Sequence, residues 1–254
     1  VQILSAYDNL IENNQKQIKL LEEAVQRLYK EWFVDLRFPG YEATPVVDGV
    51  PKGWELGRLE DVIEFNPKVF LSKERLKQSV PMTALSTNSM ILNTEEFTTT
   101  SSNSGSKFQN GDTLLARITP CLENGKTAFV AGVESDEGAV GSTEFIVMRS
   151  KGLNPYMVYL LAHDDSFRQS AINSMTGSDG RQRAQADKLK ALPYLKPTDQ
   201  IMRLFAGYAE PIFLQIQKKN EQKIRLRQAR DRLMPKLMSG EIEVKSQRHK
   251  GVIP

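Results

Sequence analysis

The chain has 254 residues, 40% hydrophobic and 26% charged, with a formal net charge of +3. That length suits one large domain or a medium domain with extensions, and the composition supplies material for a core. No run approaches the roughly 18 apolar residues of a membrane span, no stretch has the pattern of a signal peptide, and so small a net charge does not by itself mark a nucleic-acid binder. Cys121 is the only cysteine, which excludes an intramolecular disulfide and leads us to expect a reducing, cytoplasmic setting. The sequence opens Val1-Gln2 without an initiator methionine, the pattern of a trimmed or partial chain.

The first predicted element is a long helix. Leu4, Tyr7, Ile11, Asn14, Ile18, Leu21, Val25, Leu28 and Trp32 recur at spacings of three and four, a heptad stripe interrupted by one polar residue, Asn14. Glycine and proline are absent until Pro39, so the helix is expected to run from Leu4 to Arg37, about 50 Å at 1.5 Å per residue. Phe38-Pro39-Gly40 then stops it. Such a stripe serves a coiled-coil seam or an amphipathic helix lying on a globular core. A seam Asn costs stability and fixes register.

Residues 41–197 change character. Thr113–Ile118, Lys126–Val130 and Glu144–Met148 read as strands, the first two joined by an Asn124-Gly125 turn. Ser86-Thr87-Asn88 and Thr98–Lys107 read as exposed polar loops. Pro155–Ser174 reads as helical, with Asn154 as cap and Pro155 in the first turn. The block is α+β and mainly β. Two basic clusters lie in it: Lys68 with Lys73, Arg75 and Lys77, and the Arg- and Gln-rich stretch Gly177–Gln185. Arg and Gln can read guanine and adenine edges and can hold phosphates; a solvated loop is the plainer reading of the same residues.

A second helix is predicted from Thr198 to Ser239, capped by Thr198 or Asp199, kinked by Pro211 and stopped at Gly240. Shifting the first helix by 206 positions sets Asn14 on Asn220, Ile18 on Ile224, Leu20 on Leu226 and Lys30 on Lys236, a weak internal repeat. The two helices differ in charge. Asp8–Arg37 carries a net −1, whereas Lys218–Lys236 carries +6. An acidic rod and a basic rod can pair and leave basic charge over for phosphate or an acidic partner.

Catalytic signatures fail. Gly125-Lys126-Thr127 resembles the end of a phosphate-binding loop, but the glycine required five residues earlier is Pro120. Asn154-Pro155-Tyr156 lacks a proline of the adenine-methyltransferase motif. With His163, His249 and Cys121 as the only soft ligands, no zinc site is expected, and Cys121 has no neighbouring base.

Four segments together resemble a known family: Leu21–Phe38 (LEEAVQRLYKEWFVDLRF), Val50–Trp54, Gly141–Phe145 and Arg232–Val244 (RLMPKLMSGEIEV) are similar to DNA-specificity subunits of type I restriction–modification systems. The resemblance covers nearly the whole chain. It implies one target-recognition domain reading one half of a split DNA site, flanked by two helices that form an antiparallel coiled coil within or between chains. A full-length member has two such domains, so this chain is either half-sized or the C-terminal half. The implied organisation is 1–40 spacer helix, 41–197 recognition domain, 198–240 spacer helix and 241–254 tail. The implied chain is no enzyme: methyltransferase and restriction subunits are the expected partners, with S-adenosylmethionine on the methyltransferase subunit and no cofactor or metal here. Two half-sized chains would restore the full arrangement as a homodimer. Lys68, Lys73, Arg117, Lys126, Ser142, Thr143, Arg181, Gln182 and Arg183 are candidate DNA contacts, chosen by side-chain chemistry and loop position. Ile11, Asn14, Ile18, Leu21, Val25, Leu28, Asn220 and Ile224 are the candidate coiled-coil residues. Two further readings fit the same sequence: a coiled-coil scaffold that binds proteins, and the detached recognition part of a single-chain restriction–methylation enzyme.

Overall fold

The structure, a computed structural model, describes residues 2–178 and 180–242, apart from the side chain of Gln2. Asp179, His249 and most of the expected tail, with the last residues of the RLMPKLMSGEIEV segment, lie outside the described residues. The elements in chain order are α1 (Gln2–Tyr29), β1 (Val46–Val47), β2 (Val50–Pro51), β3 (Glu55–Arg58), α2 (Leu59–Val62), β4 (Ile63–Phe65), β5 (Lys77–Val80), β6 (Thr98–Thr100) and β7 (Ser106–Phe108). There follow β8 (Thr113–Ala116), β9 (Thr127–Phe129), β10 (Ala139–Gly141), β11 (Phe145–Ser150), α3 (Pro155–His163), α4 (Asp165–Asn173), α5 (Ala186–Lys190), β12 (Pro193–Lys196) and α6 (Asp199–Met238). The chain divides into two compact units: one takes the residues up to Leu20 with those from Lys218 onward, the other is Leu21–Gln217.

The first unit is a helix pair. Asp8 of α1 meets Arg230 of α6 at 2.7 Å, and Gln17 accepts from Lys219. The partner number falls as the residue number rises, so the helices are antiparallel. Ile18 and Asn14 are the buried seam residues of α1, with Leu4, Tyr7 and Ile11 half-buried along the same stripe. The facing stripe of α6 (Asn220, Lys223, Ile224, Arg227, Arg230, Leu233 and Leu237) is half-buried throughout. Two helices alone cover only one side of each seam residue, and the α6 stripe alternates cations with apolar side chains, which keeps it partly open.

The expected kink at Pro211 does not end α6, which is continuous through it. The carbonyl deprived of its donor belongs to Gly207, which is exposed to water. Thr198 supplies the start, accepting from the Ile201 amide at 3.4 Å, and Gly240 adopts φ +74° just past the end. The first helix departs more from expectation. Its α-helical turns stop at Tyr29, a π-helical turn spans Lys30–Val34, and Leu36 takes φ +57°. The wider turn brings both Trp32 and Phe33 onto Phe205, at 5.7 and 4.9 Å between ring centroids.

The second unit has two four-stranded sheets. One has the order β6-β5-β10-β7, in which β5 and β10 are parallel, and the other is the antiparallel β4-β11-β8-β9. Their shared core includes Val80, Phe108, Leu114, Ala128, Ala139, Phe145 and Val147. The opposite face of the second sheet is buried too: Phe129 touches Tyr159 of α3 and Phe213 of α6, at 6.4 and 5.1 Å. Burial on both faces explains why Thr113-Leu114-Leu115-Ala116 and Phe145–Met148 are continuous apolar runs rather than alternating ones. Glu22 of α1 is also buried, accepting from the Ser89 hydroxyl at 3.0 Å and the Met90 amide at 2.8 Å. Leu21, Val25 and Leu28 belong to this unit, where Val25 is fully buried.

Two local expectations are corrected. Thr98–Lys107 is not one polar loop: Thr98–Thr100 and Ser106–Phe108 are strands, the first paired with Lys77–Ser79 and the second with β10. Threonine is a good strand former, and an edge strand needs few apolar residues. Pro155–Ser174 is two helices, because Asp164 ends the first and caps the second through the Ser166 and Phe167 amides. Asn154 and Pro155 do start α3.

Asp112, 2% exposed in its side chain, holds Arg149 through two hydrogen bonds of 2.7 Å. Asp112→Ala leaves that guanidinium without its buried partner and is expected to lower unfolding stability by about 3 kcal/mol. Asp112→Ala/Arg149→Met removes both charges and is expected to recover much of the loss. Urea unfolding of the three proteins checks both outcomes.

Candidate nucleic-acid interface

The loops after β5, β8 and β10 and the loop before β7 meet at one end of the two sheets, because β5 and β10 are parallel while β7 and β10, and β8 and β11, are antiparallel. Arg117 follows β8. Its amide donates to the Glu144 carbonyl at 2.9 Å and its carbonyl accepts from the Ala184 amide at 2.8 Å. It is thus bracketed between the segment before β11 and the segment after α4. The turn back to β9 closes through Lys126 to Cys121 at 3.0 Å, around buried Leu122.

The chain folds back between Thr176 and Arg183. Thr176 and Arg183 exchange both backbone hydrogen bonds, at 3.1 and 2.9 Å, and Thr119 donates to the Gln182 carbonyl at 3.1 Å. Gly177 has φ +131°, and a Cβ there would lie 3.0 Å from the Arg181 carbonyl, so glycine is required for the fold-back. Ser178, Gly180 and Arg181 stand exposed at the tip, with Gln182 half-buried behind them.

Arg183 is engaged within the protein. Its guanidinium donates to both Glu144 oxygens at 2.7–3.0 Å. These hydrogen bonds hold the Glu144 carboxyl below the ordinary glutamate range; partial burial opposes the shift, and the charges of Arg183 and Arg117 add to it. The ion pair fastens the fold-back to the Ser142–Glu144 turn, where the Ser142 hydroxyl accepts from the Glu144 amide at 3.2 Å and Thr143 is exposed. Gly141 precedes this turn because a Cβ would meet Phe145, Phe108 and the Val80 carbonyl, each within 3 Å. Arg117 lies beside the pair, half-buried, with a buried Nε that has no hydrogen-bond partner. Lys126 donates to the Met82 carbonyl at 3.1 Å.

The structure therefore brings together Arg117, Lys126, Ser142, Thr143, Arg181, Gln182 and Arg183. Sequence reading missed Glu144, which organises the group, and placed Gln185 in the Gly177–Gln185 cluster without making it a candidate contact; its amide nitrogen donates to Thr176 Oγ1 and the Arg183 carbonyl at 2.8 Å each. The Arg183-x-Gln185 spacing is visible in the sequence, but its partner thirty-nine positions earlier is not. Lys68 and Lys73 lie elsewhere, on a segment crossing the outer face of the first sheet. Asn66 pairs with Val147, Val69 and Leu71 pack on Val140, and the Ser72 amide donates to Glu137 ahead of β10. Lys73 is thus at the end of β10 remote from Ser142. Among the described residues no cluster of three or more His, Cys, Asp or Glu could hold a metal, and no helix is long and apolar enough to cross a membrane.

The fold of this chain is similar to that of a type I restriction S subunit. The crystal structure of the Type-I restriction-modification system S subunit from M. genitalium matches 93% of this chain and 59% of that one, with a TM-score of 0.56 at 13% identity. The chain is homologous to type I restriction enzyme specificity subunits. It is 36% identical over 141 residues to the EcoAI specificity subunit of Escherichia coli, covering 53% of this chain and 23% of that protein. It is 25% identical over 262 residues to the MjaIX specificity subunit of Methanocaldococcus jannaschii, covering 95% of this chain and 57% of that one. The chain thus spans between about a quarter and somewhat over half of the length of these relatives. No protein-family model matches it.

The Glu144–Arg183 pair should impose a pH signature on the fold-back. A carboxyl whose pKa is lowered by folding contributes stability in full above its ordinary range and loses it as pH falls through the lowered value. Hydrogen exchange at the Ala184 and Thr119 amides, corrected for intrinsic rate, is expected to be flat above the glutamate range and to accelerate on acidification below it. Glu144→Gln should raise exchange above the glutamate range to the level that wild type reaches on acidification, and so flatten that dependence; protection equal to wild type above that range would show that the pair does not hold the loops.

Proposed function

We propose that the chain is a non-catalytic, sequence-specific DNA-recognition subunit of a type I restriction–modification complex, reading one half of a bipartite site. The observation that carries this is the gathering of Arg117, Lys126, Ser142, Thr143, Arg181 and Gln182 at one end of the sheets, in a homologue of specificity subunits. Arg, Gln, Ser and Thr are the side chains that reach base edges and phosphates. Arg181 and Thr143 are free to approach the duplex, the unpartnered Nε of Arg117 lies behind them, and Arg183 acts as a positioning residue through Glu144. Lys68 and Lys73 are phosphate contacts outside this group.

The helices have a second task. Paired antiparallel, they fix the distance between this reader and the reader of the other half-site, as dimer geometry does in other DNA-binding proteins. The half-open seam of the helix pair leaves apolar and basic side chains for a second helix pair or for the methyltransferase subunits. A homodimer supplies the second reader where the chain acts at this length. S-adenosylmethionine then belongs to the methyltransferase subunits, and cleavage to the restriction subunits. The scaffold reading and the single-chain enzyme reading are carried by no observation of comparable weight.

Methylome sequencing of cells with and without this chain and its methyltransferase subunit tests the reading: a split adenine-methylated motif should appear only when both are present. On that motif, Arg181→Ala should weaken binding about tenfold at fixed salt and relax specificity at one base pair. Fluorescence anisotropy on motif and single-mismatch duplexes measures both; unchanged affinity and unchanged specificity would remove Arg181 from the interface.

A further inference from the structure

The outer face of the first sheet carries a surface that the fold-back group does not use. Residues directly opposite in register share a face, and alternate residues along a strand return to it. Val140, Ser79, Lys107 and Thr98 are therefore on one face, together with Lys77 and Thr100. The opposite face is the main core, with Val80, Phe108 and Ala139. Across the outer face runs the segment 67–71, extended, with burial that alternates: Pro67, Val69 and Leu71 are buried, and Lys68 and Phe70 are exposed. Val69 and Leu71 cluster with Val140.

Alternation leaves Phe70 pointing outward and 87% exposed, the largest exposure of any large apolar side chain among the described residues. It is no gap in the packing, since the residues on both sides of it are seated. Its surroundings are cationic. Lys68 stands two positions away on the same side of the segment, Lys73 follows, and Lys107 is half-buried on the sheet face. Glu74 is the one acid within residues 66–76, and the nearby Glu137 is taken up by the Ser72 amide at 2.9 Å and by Arg75 at 3.4 Å. An exposed aromatic ring costs free energy in water, and a ring flanked by lysines suits a polyanion with stacked apolar faces better than another protein surface. Proteins that deform duplexes insert such apolar wedges at base steps while neighbouring cations hold the phosphates.

We infer that Phe70 is a DNA wedge, inserted at or against a base step of the bound duplex, with Lys68 and Lys73 holding the flanking phosphates. This rests on the reading of the chain as a DNA-recognition subunit and adds a contact that deforms the duplex to those that read it.

The test uses the full chain in complex with its methyltransferase subunit and a duplex enriched from a randomised pool by that complex, with 2-aminopurine placed at successive steps. Wild type should raise 2-aminopurine fluorescence at one step through unstacking. Phe70→Ser should abolish that rise and weaken binding about tenfold with no change in salt dependence, because the lost group is uncharged. Phe70→Trp should retain both. Lys68→Gln/Lys73→Gln should instead flatten the salt dependence by about two ions. Thermal melts of the variants should match wild type, since the ring supports no packing.

Equal affinity and equal fluorescence for wild type and Phe70→Ser would overturn the inference while leaving the recognition reading intact. Loss of self-association or of methyltransferase binding in Phe70→Ser, with duplex contact unchanged, would also overturn it and assign the surface to a protein. Enrichment of no duplex by the wild-type complex would refute the recognition reading itself.

Discussion

An apolar stripe on a long helix has to be covered, and here one stripe is covered in two ways. From Leu4 to Ile18 it lies against α6 in an antiparallel pair. From Leu21 onward it belongs to the β-rich unit, where Val25, Tyr29 and Trp32 are buried and Glu22 is spent on the Ser89–Met90 loop. A helix of this length would not hold its shape alone in water, so the two coverings are what make it a rod. The π-helical turn is where that rod ends, because beyond Tyr29 two adjacent aromatic rings have to reach the same neighbour, Phe205.

The rim that gathers the candidate contacts follows from strand direction more than from any motif. Parallel β5 and β10, with their antiparallel neighbours, deliver loops from distant parts of the sequence to one rim. Rim loops tend to be mobile. Here the Glu144–Arg183 pair and the Thr119–Gln182 and Arg117–Ala184 backbone bonds restrain three of them. A restrained loop loses less entropy when it meets a ligand, which matters where discrimination rests on a few hydrogen bonds.

The Leu4-to-Trp32 stripe of the first rod, the Thr198 start and Gly240 stop of the second, and the Asn154-Pro155 start of α3 were legible in the sequence because they obey local rules; the π-helical end of the first rod was not. Apolar runs marked β8, β9 and β11 for the same reason. What escaped was non-local or polar. Thr98–Thr100 carries no apolar signal and is a strand only because Lys77–Ser79 lies beside it. Glu22 carries no sequence signal of its burial, since nothing around it announces a loop 67 residues away. Arg181, Gln182 and Arg183 stood out as a cluster, but the difference between an exposed Arg181 and a committed Arg183 depends on Glu144, which chemistry-led selection passed over. The separation of Lys68 and Lys73 from the rim is likewise a product of sheet order.

The aromatic group around Phe205 has a practical consequence for anyone recombining such chains. Tyr29, Trp32, Phe33, Phe38 and Trp54 interlock with it or with one another, so a chimera cut at the visible punctuation Phe38-Pro39-Gly40 would graft half of an unfamiliar jigsaw onto a foreign body. Crossovers placed inside the helices, near Leu20 and Lys218, would carry the β-rich unit away with its own foundations.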